Sequence, residues 1–142
     1  MRGVVALTIC TLVLTGCGNR TGPTFPQGWK QSGNGTWVNP ASPMQWLTIS
    51  SQPFSGTLKD LASQTTINVV LRNRSAHFTG ANTFSPCPGE AGLQTFRQDG
   101  KILQAAFSVW NGQAVTVVYS RPASAADDKA ALAAMAGNVC QG

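Results

Sequence analysis

Residues 93–120 read LQTFRQ, DG, KILQAAFSVW, NG, QAVTVVYS, three strand-like runs separated by Asp99-Gly100 and Asn111-Gly112. Asp-Gly and Asn-Gly take left-handed backbone at both central positions of a type I′ turn, the turn whose twist matches its flanking strands. The spacing therefore predicts a β-meander of three antiparallel strands over 93–98, 101–110 and 113–120. In the middle run Leu103, Ala105, Phe107 and Val109 alternate with Ile102, Gln104, Ala106, Ser108 and Trp110. One face is uniformly apolar and the other mixed, so the sheet needs cover.

Covering elements stand on both sides of the meander. Upstream, Ser55-Gly56-Thr57 offers cap oxygens, Asp60 follows three residues after Thr57, and Leu58, Leu61, Ala62 and Thr65 fall on one helical stripe. A helix is expected over 57–72, ending where Arg72 meets the negative end of its dipole. Downstream, Pro122 closes the sheet and a second helix is expected over 124–138, capped by Ser124, with Asp127 and Asp128 in its first turn. Leu132, Met135 and Val139 would pack that helix on the sheet. Further extended runs are expected at 35–39, stopped by Pro40, at 44–51 (MQWLTISS) and at 76–84, broken by Ser85-Pro86-Cys87-Pro88-Gly89. The order predicts an α+β domain over 28–142, with both helices packed on an antiparallel sheet.

The composition supports a folded domain with few charges. Only 11% of the 142 residues are charged, 10 Lys plus Arg against 5 Asp plus Glu, where roughly a quarter is usual. Ser, Thr, Asn and Gln number 43, so hydrogen-bonding surface is mostly neutral. With 42% hydrophobic residues the chain is too apolar to stay disordered.

The first residues carry an address. Met1-Arg2 precedes a fourteen-residue apolar stretch, 3–16, too short for a membrane span and right for a signal segment. It ends in Leu14-Thr15-Gly16-Cys17, which resembles the lipobox of bacterial lipoproteins. That resemblance implies removal of 1–16 and acylation of Cys17, a tether over 17–27, and a cell-envelope protein held to a membrane by lipid. Three acyl chains exceed what stable anchoring requires. Gly18 beside the modified cysteine would mildly favour the outer membrane of a double-membraned cell. An ordinary secretory signal with a coincidental Cys17, or an uncleaved apolar terminus, is the alternative.

Export makes the cysteines informative. With Cys10 lost and Cys17 lipidated, Cys87 and Cys140 remain as a pair in an oxidising compartment, and a disulfide is the economical reading. A metal site would want more ligands than the single histidine supplies, and there is no CxxC for thiol exchange.

The chemistry-bearing residues are sparse. His77 stands without a nucleophile elbow, and Asp60, Glu90, Asp99, Asp127 and Asp128 fall at helix starts, loops and a hairpin, leaving no carboxylate pair. No metal, cofactor or catalytic residue is nominated. Arg72, Arg74 and His77 form the one local basic cluster, a candidate contact for an anionic ligand or simply a solvated helix end. The formal charge is +5, or +4 once Arg2 leaves, too diffuse for nucleic acid. Trp29, Trp37, Trp46 and Trp110 are either core or a binding surface.

The opening Gly28-Trp29, the Thr36-Trp37-Val38 strand, the Ser55 to Ala62 helix entry, the meander and the terminal helix together resemble the PsbP-like family. That family includes exported bacterial lipoproteins of the LpqN type. The resemblance implies an α+β sandwich and action by binding proteins or small ligands. The expectation is a non-catalytic binding module for an envelope partner protein or a small or polymeric ligand. A structural envelope-maintenance lipoprotein, or less favourably a small hydrolase, is the alternative.

Overall fold

The structure is a computed structural model in which residues 22–140 are described. The expected signal segment, 1–16, and Cys17, expected to be acylated, lie outside the described residues.

Among the described residues seven strands form one antiparallel sheet: β1 (Lys30–Gly33), β2 (Thr36–Asn39), β3 (Ser42–Pro53), β4 (His77–Thr83), β5 (Gly92–Gln98), β6 (Lys101–Trp110) and β7 (Gln113–Pro122), in the spatial order β1-β2-β3-β7-β6-β5-β4. Helix α1 (Leu58–Arg72) follows β3, and α2 (Lys129–Val139) closes the fold. The architecture is α+β, as the element order predicts.

The meander forms as its turns dictate. Asp99 and Gly100 have φ of 37° and 79°, and Asn111 and Gly112 have 51° and 73°, the paired left-handed conformations of two-residue hairpins. β3 then lies beside β7, Trp46 opposite Ser120 through Pro53 opposite Gln113. It runs four residues beyond the expected 44–51, with Pro53 at its last position, where a missing donor interrupts least. β1 was not expected. Its four residues are all exposed, so no alternation of burial marks them.

The helices cover opposite faces. Ala105 packs in a cluster with Val69 of α1, Phe96 and Leu103. Its neighbour Ala106 packs with Ala131, Ala134, Met135 and Val139 of α2, together with Leu47, Val117 and Tyr119. Successive strand residues point to opposite faces, which places one helix on each side. α1 begins with the capping box predicted for it: Asp60 N–H donates to Thr57 Oγ1 at 3.2 Å, and Thr57 N–H donates to Asp60 Oδ2 at 2.8 Å.

The start of the last helix corrects the expectation of 124–138. Asp128, not Ser124, is the cap: its Oδ1 accepts from Ala130 N–H at 2.9 Å, and helical residues begin at Lys129. Asp127 stays outside the helix because Arg121 Nε donates to its Oδ1 at 2.7 Å. Residues 123–128 are spent carrying the chain from the end of β7 toward the face α2 covers.

α2 is fastened at its far end twice. Cys87 and Cys140 lie at disulfide distance, Sγ–Sγ 1.98 Å and Cα–Cα 4.8 Å, tying the helix to the loop between β4 and β5. Asn138 Oδ1 accepts from Thr24 N–H at 3.0 Å, and its Nδ2 donates to the Thr24 carbonyl at 2.7 Å. Gly137 permits this approach, since a Cβ there would come within 3.1 Å of the Thr24 side chain. Phe25 stacks on Trp37 at 4.9 Å. Of the stretch expected to be a tether, 22–27 is described, and from Thr24 onward it is held against the domain.

Candidate functional site

α1 crosses β5 and β6, with its Leu61 packed on Ala114 at the start of β7, and leaves most of the neighbouring half of the same sheet face, β2, β3 and the middle of β7, open. The step between helix and bare sheet forms a cleft of about 330 Å³. Its floor is built by alternation. On β3, Trp46, Thr48, Ser50 and Gln52 point into the cleft, whereas Leu47 and Ile49 point to the α2 side. On β7, Ala114, Thr116 and Val118 face the cleft, whereas Val115, Val117 and Tyr119 face α2. The wall comes from α1: Leu61, Thr65, Val69 and, in its last turn, Arg72.

The lining carries hydroxyls, amides, one indole and one guanidinium, and no carboxylate. Thr36 and Thr48 hydroxyls are 3.4 Å apart across β2 and β3, and Ser50 Oγ donates to the Thr116 carbonyl at 3.4 Å. The Arg72 guanidinium makes no ion pair or hydrogen bond among the described residues. Thr65 is distinctive among the hydroxyls of α1. Ser63 and Thr66 bond back to the carbonyls of Lys59 and Ala62, at 3.4 and 3.1 Å, the usual way a helix satisfies such groups. Thr65 is 2% exposed and its Oγ1 has no partner. A hydroxyl left open in a buried position costs stability, so its place beside the cleft is informative.

The titratable groups with shifted pKa values explain structure. Two backbone and side-chain hydrogen bonds from Thr57 hold the Asp60 carboxyl below its ordinary range. Burial pushes the Tyr119 phenol up, and its oxygen accepts from Asp128 N–H at 3.3 Å where α2 begins. No group of three or more His, Cys, Asp or Glu residues that could hold a metal occurs among the described residues.

The basic cluster read from sequence is divided. Arg72 lines the cleft. His77 sits opposite Arg97 on β4, an edge strand three strand spacings from β7, about 14 Å. Between them the chain turns through Ser75 (φ 71°), and the Arg74 carbonyl accepts from Gln98 Nε2 at 2.6 Å. The tryptophans divide as well: Trp29 and Trp37 are core, Trp46 is half-buried in the cleft, and Trp110 is exposed at a hairpin end. A second hollow, about 570 Å³, lies over Phe25, Trp29 and Trp37, but the two tryptophans are only 8% and 5% exposed and offer little surface to a ligand.

No protein-family model matches the chain, and no curated protein matches it. It is similar to the solution structure of cyanobacterial PsbP (CyanoP) from Synechocystis sp. PCC 6803. That similarity has a TM-score of 0.49 and 16% sequence identity, and covers 69% of this chain and 72% of that one.

The hydroxyl floor was not read from sequence. Its trace is the alternation of Trp46, Thr48, Ser50 and Gln52 with Leu47 and Ile49, a strand polar on one face and apolar on the other. Its meaning depends on β3 lying beside β7, more than sixty residues away in the chain.

Proposed function

We propose that this chain is an envelope lipoprotein, anchored through acylated Cys17, that acts by binding a ligand in the cleft between α1 and the sheet. The cleft carries this reading: a concave, hydrogen-bonding recess with a free guanidinium and an unpartnered buried hydroxyl is what a small-ligand site needs. A binding rather than catalytic role is supported by the placement of the ionisable groups. Asp60 and Asp128 cap helices, Asp127 pairs with Arg121, and none of the cleft residues is a carboxylate, histidine or cysteine.

A protein partner is the second reading, and α1 offers a reason for it. Ile67 and Leu71, one turn apart on its outer side, are 58% and 74% exposed. Large apolar side chains this open on a helix can form part of a protein contact.

The test compares labelling at two positions in the full-length chain. Gln52→Cys places a thiol in the cleft, and Ala133→Cys places one on the exposed side of α2. In native envelopes a maleimide should modify the first more slowly than in purified protein, and the second at an unchanged rate. Equal rates in both settings at Gln52→Cys would remove the cleft as the seat of binding. Mass spectrometry of membrane-extracted protein should find Cys17 acylated at a new N-terminus; a species beginning elsewhere would remove the anchor.

A further inference from the structure

The chemistry of the cleft narrows its ligand, on the reading that the cleft is the seat of binding. Its charge is simple. Arg72 is the one cation of the lining, it lacks a partner among the described residues, and no acid lies beside it to repel an anion. A single planar guanidinium matches one carboxylate through two parallel hydrogen bonds. A phosphate dianion would find one cation where it needs more, and it would lie near the C-terminal end of α1, whose dipole opposes further negative charge.

The rest of the lining is neutral and dense in hydrogen-bonding groups. Thr48 and Thr116 stand on adjacent strands of the floor, Thr65 stands on the wall, and the Gln52 side chain makes no hydrogen bond among the described residues. Trp46 adds a flat aromatic surface beside them. Hydroxyls and amides together with an indole face suit a ring bearing several hydroxyls, which donates and accepts at its rim and presents C–H groups to the π face. A fatty acid would also offer a carboxylate, but would leave these groups unpaired at a cost for each. The volume, about 330 Å³, is at the small end for ligand sites and fits one or two rings.

We infer that the cleft binds a sugar acid, a hydroxylated ring carrying one carboxylate, with Arg72 on the carboxylate, Trp46 against the ring, and Thr48, Thr65 and Thr116 on its hydroxyls. Both a free uronic acid and a uronic acid unit of an acidic polysaccharide present this chemistry.

Calorimetric titration of the full-length, detergent-solubilised chain tests it with four probes: glucuronic acid, glucose, acetate and inorganic phosphate. Glucuronic acid should bind best, glucose about tenfold or more weakly, and acetate below detection. Arg72→Gln should lower glucuronic acid to the level of glucose and leave glucose unchanged, whereas Arg74→Gln should alter neither. A glucuronic acid tetramer that binds more tightly than the monomer would identify the polymer as the source, and equal affinity per ring the free acid. Equal binding of glucose and glucuronic acid, tighter binding of phosphate, or indifference to Arg72→Gln would overturn the inference. Absence of glucuronic acid binding while native envelopes still protect Gln52→Cys would overturn the sugar acid alone and leave the cleft as a binding seat.

Discussion

The two faces of the sheet are made by the same strands and have opposite characters. On the face covered by α2, Leu47, Val117 and Tyr119 are fully buried, in one cluster with Met135 and Val139. On the other face, at the adjacent positions of the same strands, Thr48, Thr116 and Val118 line an open cleft because α1 is displaced over β5 and β6. Alternation along one strand thus separates residues that hold the fold from residues available to a ligand. The closed face is also the stapled one, with Cys87–Cys140 and the Thr24–Asn138 pair both gripping the end of α2.

Removing the staple should give the largest effect. The bridge spans 53 residues of sequence, for which chain entropy gives up to about 4 kcal/mol. Cys87→Ser with Cys140→Ser should lower the urea midpoint accordingly, and an unchanged midpoint would mean that packing and the Thr24–Asn138 hydrogen bonds hold α2 without the bridge. The next effect sets neighbours on β3 against each other. Leu47→Ala leaves a cavity under α2 and should cost about 3 kcal/mol, whereas Thr48→Ala on the open face should cost less than about 1 kcal/mol. Similar losses at both positions would show that the cleft floor is as structural as the core.

Thr65 sharpens the contrast because its expected effect has the opposite sign. Its hydroxyl is buried without a partner, so Thr65→Val, nearly the same shape, should raise stability by about 1 kcal/mol in thermal unfolding. The same change should weaken glucuronic acid binding. A gain in stability with a loss of binding is the mark of a polar group kept for a ligand. A loss of both would make Thr65 a structural residue.

The parts of this structure governed by neighbouring residues were legible in sequence. Asp99-Gly100 and Asn111-Gly112 set the hairpins through their own backbone preferences, and Thr57 with Asp60 set the start of α1 through a contact three residues long. Legibility failed where a distant group intervened. Ser124 and Asp128 are both acceptable caps locally, and the choice between them follows from Arg121 drawing Asp127 out and Tyr119 meeting the Asp128 amide. The basic residues near the end of α1 were found, but which of them faces a ligand depended on strand order: Arg72 looks over β3 and β7, whereas the chain carries His77 to the far edge. Thr48 and Thr116 could be counted in sequence but not placed on adjacent strands of one face.

The smallest effect concerns the entrance to α1, which fixes the helix on the cleft face without joining the core. Asp60 is solvent-exposed, and hydrogen bonds from Thr57 keep its carboxyl ionised below the ordinary value of 3.8. A carboxylate that holds its proton less tightly in the folded state adds stability above the unfolded value and loses it as pH falls through the folded one. The melting temperature should therefore drop slightly as pH falls below about 4, and Asp60→Asn should flatten that part of the profile. Hydrogen exchange can locate the effect: Asp60→Asn should lower protection of the first-turn amides of α1 and leave those of α2, on the other face of the sheet, unchanged. Parallel loss at both helices would mean that the two faces unfold together and that the cleft wall has no independent stability.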